Sequence, residues 1–446
     1  MTRRTTDHGI HWIGAIPSAW KLVTLKSLIS IQNGDWGSDP VEIGQSGSVL
    51  TCYRKADFTQ TGTVVSGETL RRLARKPFVR QLDILLEKSG GGDVTPVGAV
   101  AIVTACAPAA CSNFLARLRA KESRVEPRFI WRFLSAVHAS RQIWSLFKQT
   151  TGIQNIDMGA LAALEVPFPD FLEQRRIVDW LDIQTTRIDK RRELLAKKRG
   201  LLRGLRSNLI GETLAYGLHE KEVTLTGLVD LPTLPVGWQA SHIKRLLRFI
   251  TSGSRGWAEY YADVGDIFLR IGNLTRETID LDLSDMKYVA LPAKAAEGKR
   301  TRLRPGDMLV SITADLGSIA VVPVLEKPAY VSQHIALCRP KVGVNPRWLG
   351  YAMVSPQAKR QLMNSGYGGT KIQLSLDDVR NVWVAVPPLD EQIEIADFLD
   401  RRLSKLARQI ALIDRLDNLL KQQRKALIHE AVTGKIDLSN YEPPAA

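Results

Sequence analysis

The feature that most narrows the fold of this chain is a repeat that stays in register along its whole length. Ile16-Pro17-Ser18-Ala19-Trp20 recurs as Leu234-Pro235-Val236-Gly237-Trp238, and Lys26 and Leu28 recur as Lys244 and Leu246. The same offset of 218 residues carries Pro169 onto Pro387, Glu173-Gln174 onto Glu391-Gln392, Asp179 onto Asp397 and Leu181-Asp182 onto Leu399-Asp400. Between these anchors it slips by a residue or two, laying Gly98–Val103 over Gly317–Val322, Pro127-Arg128 over Pro346-Arg347 and Thr151–Gln154 over Thr370–Gln373. A chain of 446 residues has room for several cores, and self-similarity at this spacing means two copies of one fold. Stretches such as Gly34–Ser38 and Ser252–Trp257 differ in their polar and aromatic residues. The copies share a scaffold and differ in surface.

Each copy divides by its periodicity. Short apolar runs bounded by Gly and Pro, such as Val97–Val103, Met308–Ile312, Ile319–Val324 and Val382–Val386, read as strands. Helical spacing after a proline predicts helices over Arg128–Ser145 and Arg347–Met363. After Pro169 and Pro388 the pattern becomes a heptad: Leu181, Ile188, Leu195, Leu202 and Leu209 in the first copy, Leu399, Leu406, Ile413, Leu420 and Leu427 in the second. Roughly 40 residues of helix span about 60 Å at about 1.5 Å per residue, and Gly217 and Gly434 stand where such helices stop. A lone helix cannot bury a stripe of that length. The simplest closure is an antiparallel pair within the chain; packing back on its own module or zipping to a second chain are the alternatives. The expected architecture is two pseudo-symmetric mixed α/β (α+β) modules at 1–169 and 218–388, helices at 170–217 and 389–435 forming an intramolecular antiparallel coiled coil, and a tail at 436–446.

Charge points to the partner class. A net charge of +15 and a pI near 9.7 favour polyanions, because surface Lys and Arg release counterions on meeting phosphates. Four cysteines, Cys52, Cys106, Cys111 and Cys338, fit no secreted disulfide framework and suit a reducing cytoplasm. No signal-peptide run and no apolar stretch of membrane-spanning length is visible, so a membrane role is not expected.

Thr370–Ser375, then Val384-Ala385-Val386-Pro387-Pro388-Leu389-Asp390-Glu391-Gln392-Ile393 and the heptad helix, resemble the end of a type I restriction-modification specificity subunit; the two Trp-ending openings and Arg304-Pro305-Gly306-Asp307 are similar to that family as well. The likeness covers essentially the whole chain. It implies two target recognition domains, each reading one half of a bipartite, asymmetric site in double-stranded DNA, with the helices setting the spacer and docking two methyltransferase (modification) subunits. It also implies restriction/translocase subunits, with S-adenosylmethionine, ATP and Mg on those partners and no cofactor here. The first copy departs from the family's Pro-Pro-Leu type run with Val166-Pro167-Phe168-Pro169-Asp170-Phe171-Leu172.

Catalytic signatures are wanting. Ser89–Gly92 lacks the Gly-Lys-Ser/Thr ending of a phosphate loop and reads as a turn. Asn345-Pro346-Arg347-Trp348 starts like an amino-methyltransferase signature but has Arg347 at the second proline, and reads better as a helix start. Cys106 and Cys111 have no second pair at zinc spacing, and His334 lies in an apolar strand. A non-catalytic reader of DNA is the expectation; a self-sufficient DNA-modifying or DNA-cleaving enzyme and a protein-only coiled-coil scaffold are its rivals. Base reading calls for Arg, Asn and Gln on loops. The candidates are Asp35, Trp36, Tyr53, Arg54, Lys148, Gln149 and Gln154 in the first copy, and Ser254, Arg255, Trp257, Arg270, Asn273, Tyr367, Lys371 and Gln373 in the second. The run Lys190-Arg191-Arg192, Lys197-Lys198-Arg199, Arg203 and Arg206 on the first helix reads as a solvated face, the alternative being that part of it attracts the phosphates of the spacer or an acidic surface on a modification subunit.

Overall fold

A computed structural model describes residues 3–442 except 40–47, 74–77, 93–95, 122, 151–152, 220, 254–255, 293–299, 314–315 and 366–372; the side chains of 148–150 and 258 also lie outside the description. The chain forms two compact units, residues 1–195 with 416–446, and residues 196–415.

The first unit is built on a five-stranded sheet in the order Ile29–Asn33, Leu115–Ala120, Ile84–Glu87, Val100–Val103, Thr63–Val64. Its central strands are buried on both faces, and strict alternation sorts their side chains between two cores. Ile84, Leu86, Val100 and Ile102 meet Phe129, Ile130, Phe133 and Val137 of the helix Pro127–Ala139. Leu85, Ala101, Val103 and Leu115 face the other way, onto Tyr53, Val64 and Cys111.

The second unit repeats the plan in its own residues. Its four-stranded sheet runs Leu247–Ser252, Ile335–Pro340, Met308–Ser311, Ile319–Val321. Met308, Val310, Ile319 and Cys338 pack under Trp348 and Leu349 of the helix Pro346–Val354, while Leu309, Ala320, Ile335 and Leu337 line a second core.

The predicted strands appear one to three residues shorter, as at Val100–Val103, Met308–Ser311, Ile319–Val321 and Trp383–Val386. Both predicted helices end early, for local reasons. Arg141 takes a left-handed φ of 62° after Ala139, and the chain continues as a 3-10 segment, Gln142–Leu146. The second breaks at Ser355, which precedes Pro356 and is extended (ψ 151°), because a residue before proline is driven out of the helical region; Pro356–Ser365 resumes as a separate helix. Ser89–Gly90 is a short strand paired with Gln154 and Asn155, followed by Gly91 at φ 69°.

The long helices are Phe171–Tyr216 and Leu389–Val432, stopped by Gly217 (φ 79°) and Gly434 (φ 73°). Within the first unit, Asp189 pairs with Arg424 at 3.2 Å and Arg192 with Asp417 at 2.7 Å, so one helix ascends as the other descends. Within the second, Arg199 meets Asp414 at 2.9 Å. The apolar seam fills accordingly: Leu181, Ile188, Leu399, Ile413 and Leu420 are buried. The pair is antiparallel and intramolecular.

The residues that hold the 218-residue register form one clamp, built twice. The Trp20 indole N–H donates to Glu173 Oε2 at 2.9 Å, and that of Trp238 to Glu391 Oε2 at 2.9 Å. The other carboxylate side takes Arg3 at 2.6 Å in one unit and Lys221 in the other. Gln174 Oε1 accepts the Glu126 amide and its Nε2 donates to the Pro169 carbonyl; Gln392 does the same with Asn345 and Pro387. Asp182 receives Arg128 and Arg132, and Asp400 receives Arg347 and Tyr351. Desolvation opposes the Arg347 charge, but its bonds to Asp400 and Asp280 win and raise its pKa above the ordinary value. The clamp fixes each α/β module on the start of its helix.

Candidate nucleic-acid interface

In each unit the candidate surface is a set of short connections at the strand ends. The first connection begins at Gly34 in one copy and Gly253 in the other. A Cβ at Gly34 would run into the Ser112 carbonyl, and one at Gly253 into those of Val331 and Ser332, so only glycine lets this loop pass so close. Asp35 is exposed, its Oδ1 accepting from the Gly37 amide at 3.1 Å. Trp36 is half-buried beneath the Arg71 guanidinium, 4.1 Å from the ring centroid.

The second connection is a 3-10 turn, Lys55–Asp57 in the first unit and Ile271–Asn273 in the second. Arg54 and Arg270 occupy the same position ahead of these turns, their amides bound by Asp57 Oδ2 at 2.7 Å and Asn273 Oδ1 at 2.8 Å. Arg54 is exposed; Arg270 is partly exposed and its guanidinium meets Asp285 at 3.0 Å.

Four candidates have internal positions instead of loop positions. Tyr53 ends the strand Ser48–Tyr53, 2% exposed in the second core of its unit, and burial raises its phenol pKa. Trp257 is 4% exposed, with the rings of Tyr330 and Phe268 5.3 and 5.7 Å away. Asn273 is 2% exposed and spends its amide on the carbonyls of Asp282 and Asp285. Gln154 is buried, its Oε1 accepting the Val97 amide at 3.2 Å. An aromatic or amide beside a glycine looks the same in sequence whether it faces solvent or closes a turn from inside. Gln373 is exposed and bridged to Thr313. Lys148 and Gln149 lie in the strand Phe147–Thr150; Ser254, Arg255, Tyr367 and Lys371 lie outside the described residues.

His334, placed by the sequence in an apolar strand, stands just ahead of that strand instead. His334 is exposed where its strand begins; its Nδ1 is 2.9 Å from Thr313 Oγ1 and its Nε2 3.3 Å from Gln333 Nε2. With Nδ1 carrying the proton, Nε2 accepts from Gln333 and leaves the Gln333 Oε1 as an acceptor. The matching corner of the first unit presents exposed Asn113 and Phe114. The signal available was the polar pair Gln333-His334 immediately before the strand Ile335–Pro340, at the corner that the first copy fills with Asn113 and Phe114 ahead of Leu115–Ala120.

Three cysteines, Cys52, Cys111 and Cys338, are buried and Cys106 is exposed, all as free thiols. Burial pushes the Cys52 thiol up to about 11 and the Cys111 thiol to about 12, which makes both poor nucleophiles. Among the described residues no group of three His, Cys, Asp or Glu could hold a metal ion, and no helix is long and apolar enough to cross a membrane.

Comparison with known proteins places this geometry. The chain is similar to the type I restriction enzyme EcoBI specificity subunit of Escherichia coli, 20% identical over 416 residues, which is 91% of this chain and 83% of that one. It is similar to the EcoKI specificity subunit of Escherichia coli K12 over 220 residues at 23% identity, 47% of this chain and 46% of that one. A solved structure reported for the "complex assembly and conformational transition of the type I R-M system" shares the fold with a TM-score of 0.69, at 20% identity and covering 94% of this chain and 99% of that chain. The family model for the type I restriction modification DNA specificity domain matches residues 17–197 and 250–422, so that most of both copies and of both long helices falls within it. The chain therefore belongs to the type I restriction-modification DNA specificity family and is a DNA-recognition specificity subunit.

Proposed function

We propose that the modules at 1–169 and 218–388 each read one half of a bipartite, asymmetric site in double-stranded DNA, that the long helices set the spacer, and that the chain itself catalyses no reaction. The observation that carries this reading is the contrast between the twice-built clamp and the loops it supports. The Trp–Glu, Gln–amide and Asp–Arg bonds match pair for pair, whereas Asp35 and Trp36 stand where the sequence of the other copy has Ser254 and Arg255, and Arg54 is exposed where its counterpart Arg270 is held by Asp285. Two scaffolds of one shape with two different surfaces suit two different half-sites. The base-reading set under this proposal is Asp35, Trp36, Arg54, Arg270, Gln333, His334 and Gln373, with Lys148, Gln149, Ser254, Arg255, Tyr367 and Lys371 as further members.

The helices supply the docking surface for two modification subunits, to which restriction/translocase subunits add. Leu194, Leu201 and Leu205 stand exposed on the first helix, and Leu412, Leu416 and Leu419 on the second. Residues at spacings of three, four and seven share a helix face, and a leucine stripe left in water is a surface for another helix. S-adenosylmethionine, ATP and Mg belong to those partners in this reading. Methylome sequencing of a host carrying the chain with its modification partner is expected to show one split motif. The rigorously pure chain is expected to transfer no methyl group and cut no DNA; turnover by it alone defeats the proposal.

A further inference from the structure

The long helices carry an arginine at matched positions, Arg206 and Arg424, 218 residues apart. In the first unit Arg424 is neutralised: it pairs with Asp189 at 3.2 Å and donates to the Thr61 carbonyl at 3.3 Å. The 218-residue register puts Ala407 where Asp189 stands, so the second unit lacks that carboxylate. Glu277, on the turn above, is taken by Arg203 at 2.5 Å and supports the Arg206 charge only through space. Arg206 has no hydrogen-bond or ion-pair partner among the described residues, and its Nε is buried without one. The Arg206 side chain is half-buried, and desolvation lowers its pKa.

Arg206 lines a cavity of about 80 Å³ with Arg276, Lys359, Thr275 and Ser318. That is room for a handful of water-sized groups, a small anion and not a base. Three cationic and two hydroxyl-bearing residues line it beside apolar Leu316, Ile319, Met353 and Leu362, and Thr275 and Arg276 lie just past the turn Ile271–Asn273.

We propose that this cavity holds a phosphate of the DNA backbone, and that of the two matched helix arginines only Arg206 is free to make this contact. The proposal rests on the DNA-reading function above and adds a sequence-independent anchor that the first copy has replaced with an internal ion pair. Phosphate contacts set register without reading bases, so the anchor fixes the duplex on the second module whatever half-site that module reads.

The test is binding of the full chain, with and without its modification subunits, to target and scrambled duplexes over a range of salt. Arg206→Gln is expected to lower the slope of log affinity against log salt by about one and to weaken both duplexes by the same factor, with the methylated motif unchanged. Ala407→Asp, which supplies the carboxylate that Arg424 already has, is expected to do the same with the arginine still present. Arg206→Lys is expected to keep the slope, and the helix content and thermal unfolding of all three variants are expected to match those of the unaltered chain. An unchanged slope in both Arg206→Gln and Ala407→Asp overturns the proposal. So does loss of modification-subunit capture with an intact slope, which would make the anion a partner's carboxylate. If the unaltered chain fails to prefer target over scrambled DNA, the recognition function fails; an unaltered preference with unmoved variant slopes sinks only the phosphate site.

Discussion

Glu173 and Glu391 show how much a single residue can decide. Each is nearly buried, and each carboxylate is divided between an indole N–H and a cation. Replacing Glu173 by Gln removes the charge that holds Arg3 and turns an NH2 toward one of two donors. A hydrogen bond to a charged group is worth about 1.5–3 kcal/mol, so Glu173→Gln is expected to lower unfolding stability by roughly 1–3 kcal/mol, read as a drop in urea midpoint with no change in the DNA motif. Glu391→Gln should behave alike, because the geometry repeats. An altered motif from either variant would mean that the clamp also shapes base reading. Both glutamates were legible in sequence as anchors of the repeat, but their partners were not. Nothing in the spacing says that Trp20 reaches Glu173 across 153 residues; the fold brings them together.

At the scale of elements the heptads were the clearest signal, and the two long helices follow them. The antiparallel sense was an inference from equal lengths; the ion pairs of Asp189 with Arg424 and Arg192 with Asp417 show it directly. Such partly exposed pairs contribute little stability and act mainly on register. The leucines left outside the seam are the more informative residues. Leu201→Gln with Leu205→Gln is expected to leave helix content and thermal stability nearly unchanged, since both side chains already face water, and to reduce capture of the modification subunit at least tenfold in a pull-down titration. Undiminished capture would move docking to another face. Strand ends and loop residues were the least legible part. Tyr53, Trp257, Asn273 and Gln154 have the side chains of base readers, and each satisfies its polar atoms or fills a core inside its own unit. Chemical type alone does not tell a displayed amide from one that closes a turn.

For the whole molecule the tail completes a core that the first residues of the chain begin. Ile428, Ala431, Val432 and Leu438 share one buried cluster with Ile13, Ile16 and Trp20. His429 lies 2.9 Å from the Trp12 carbonyl, Lys435 donates to that of Ala15, and Arg176 to that of Ser439. Ending the chain after Val432 is expected to destabilise the first unit while leaving the second unit's amides as protected as before, measured by hydrogen exchange. Equal loss of protection in both units would show that they unfold as one.

By itself the sequence determined the two-fold repeat, the mixed α/β modules and the long helices, because each rests on a periodic or repeated pattern of apolar residues that any fold of this chain must bury. Only the tertiary structure decided which polar residues are spent internally and which stay available. That depends on partners distant in sequence: Glu173 for Trp20, Asp189 for Arg424, and at Arg206, where the matching position is Ala407, no partner among the described residues.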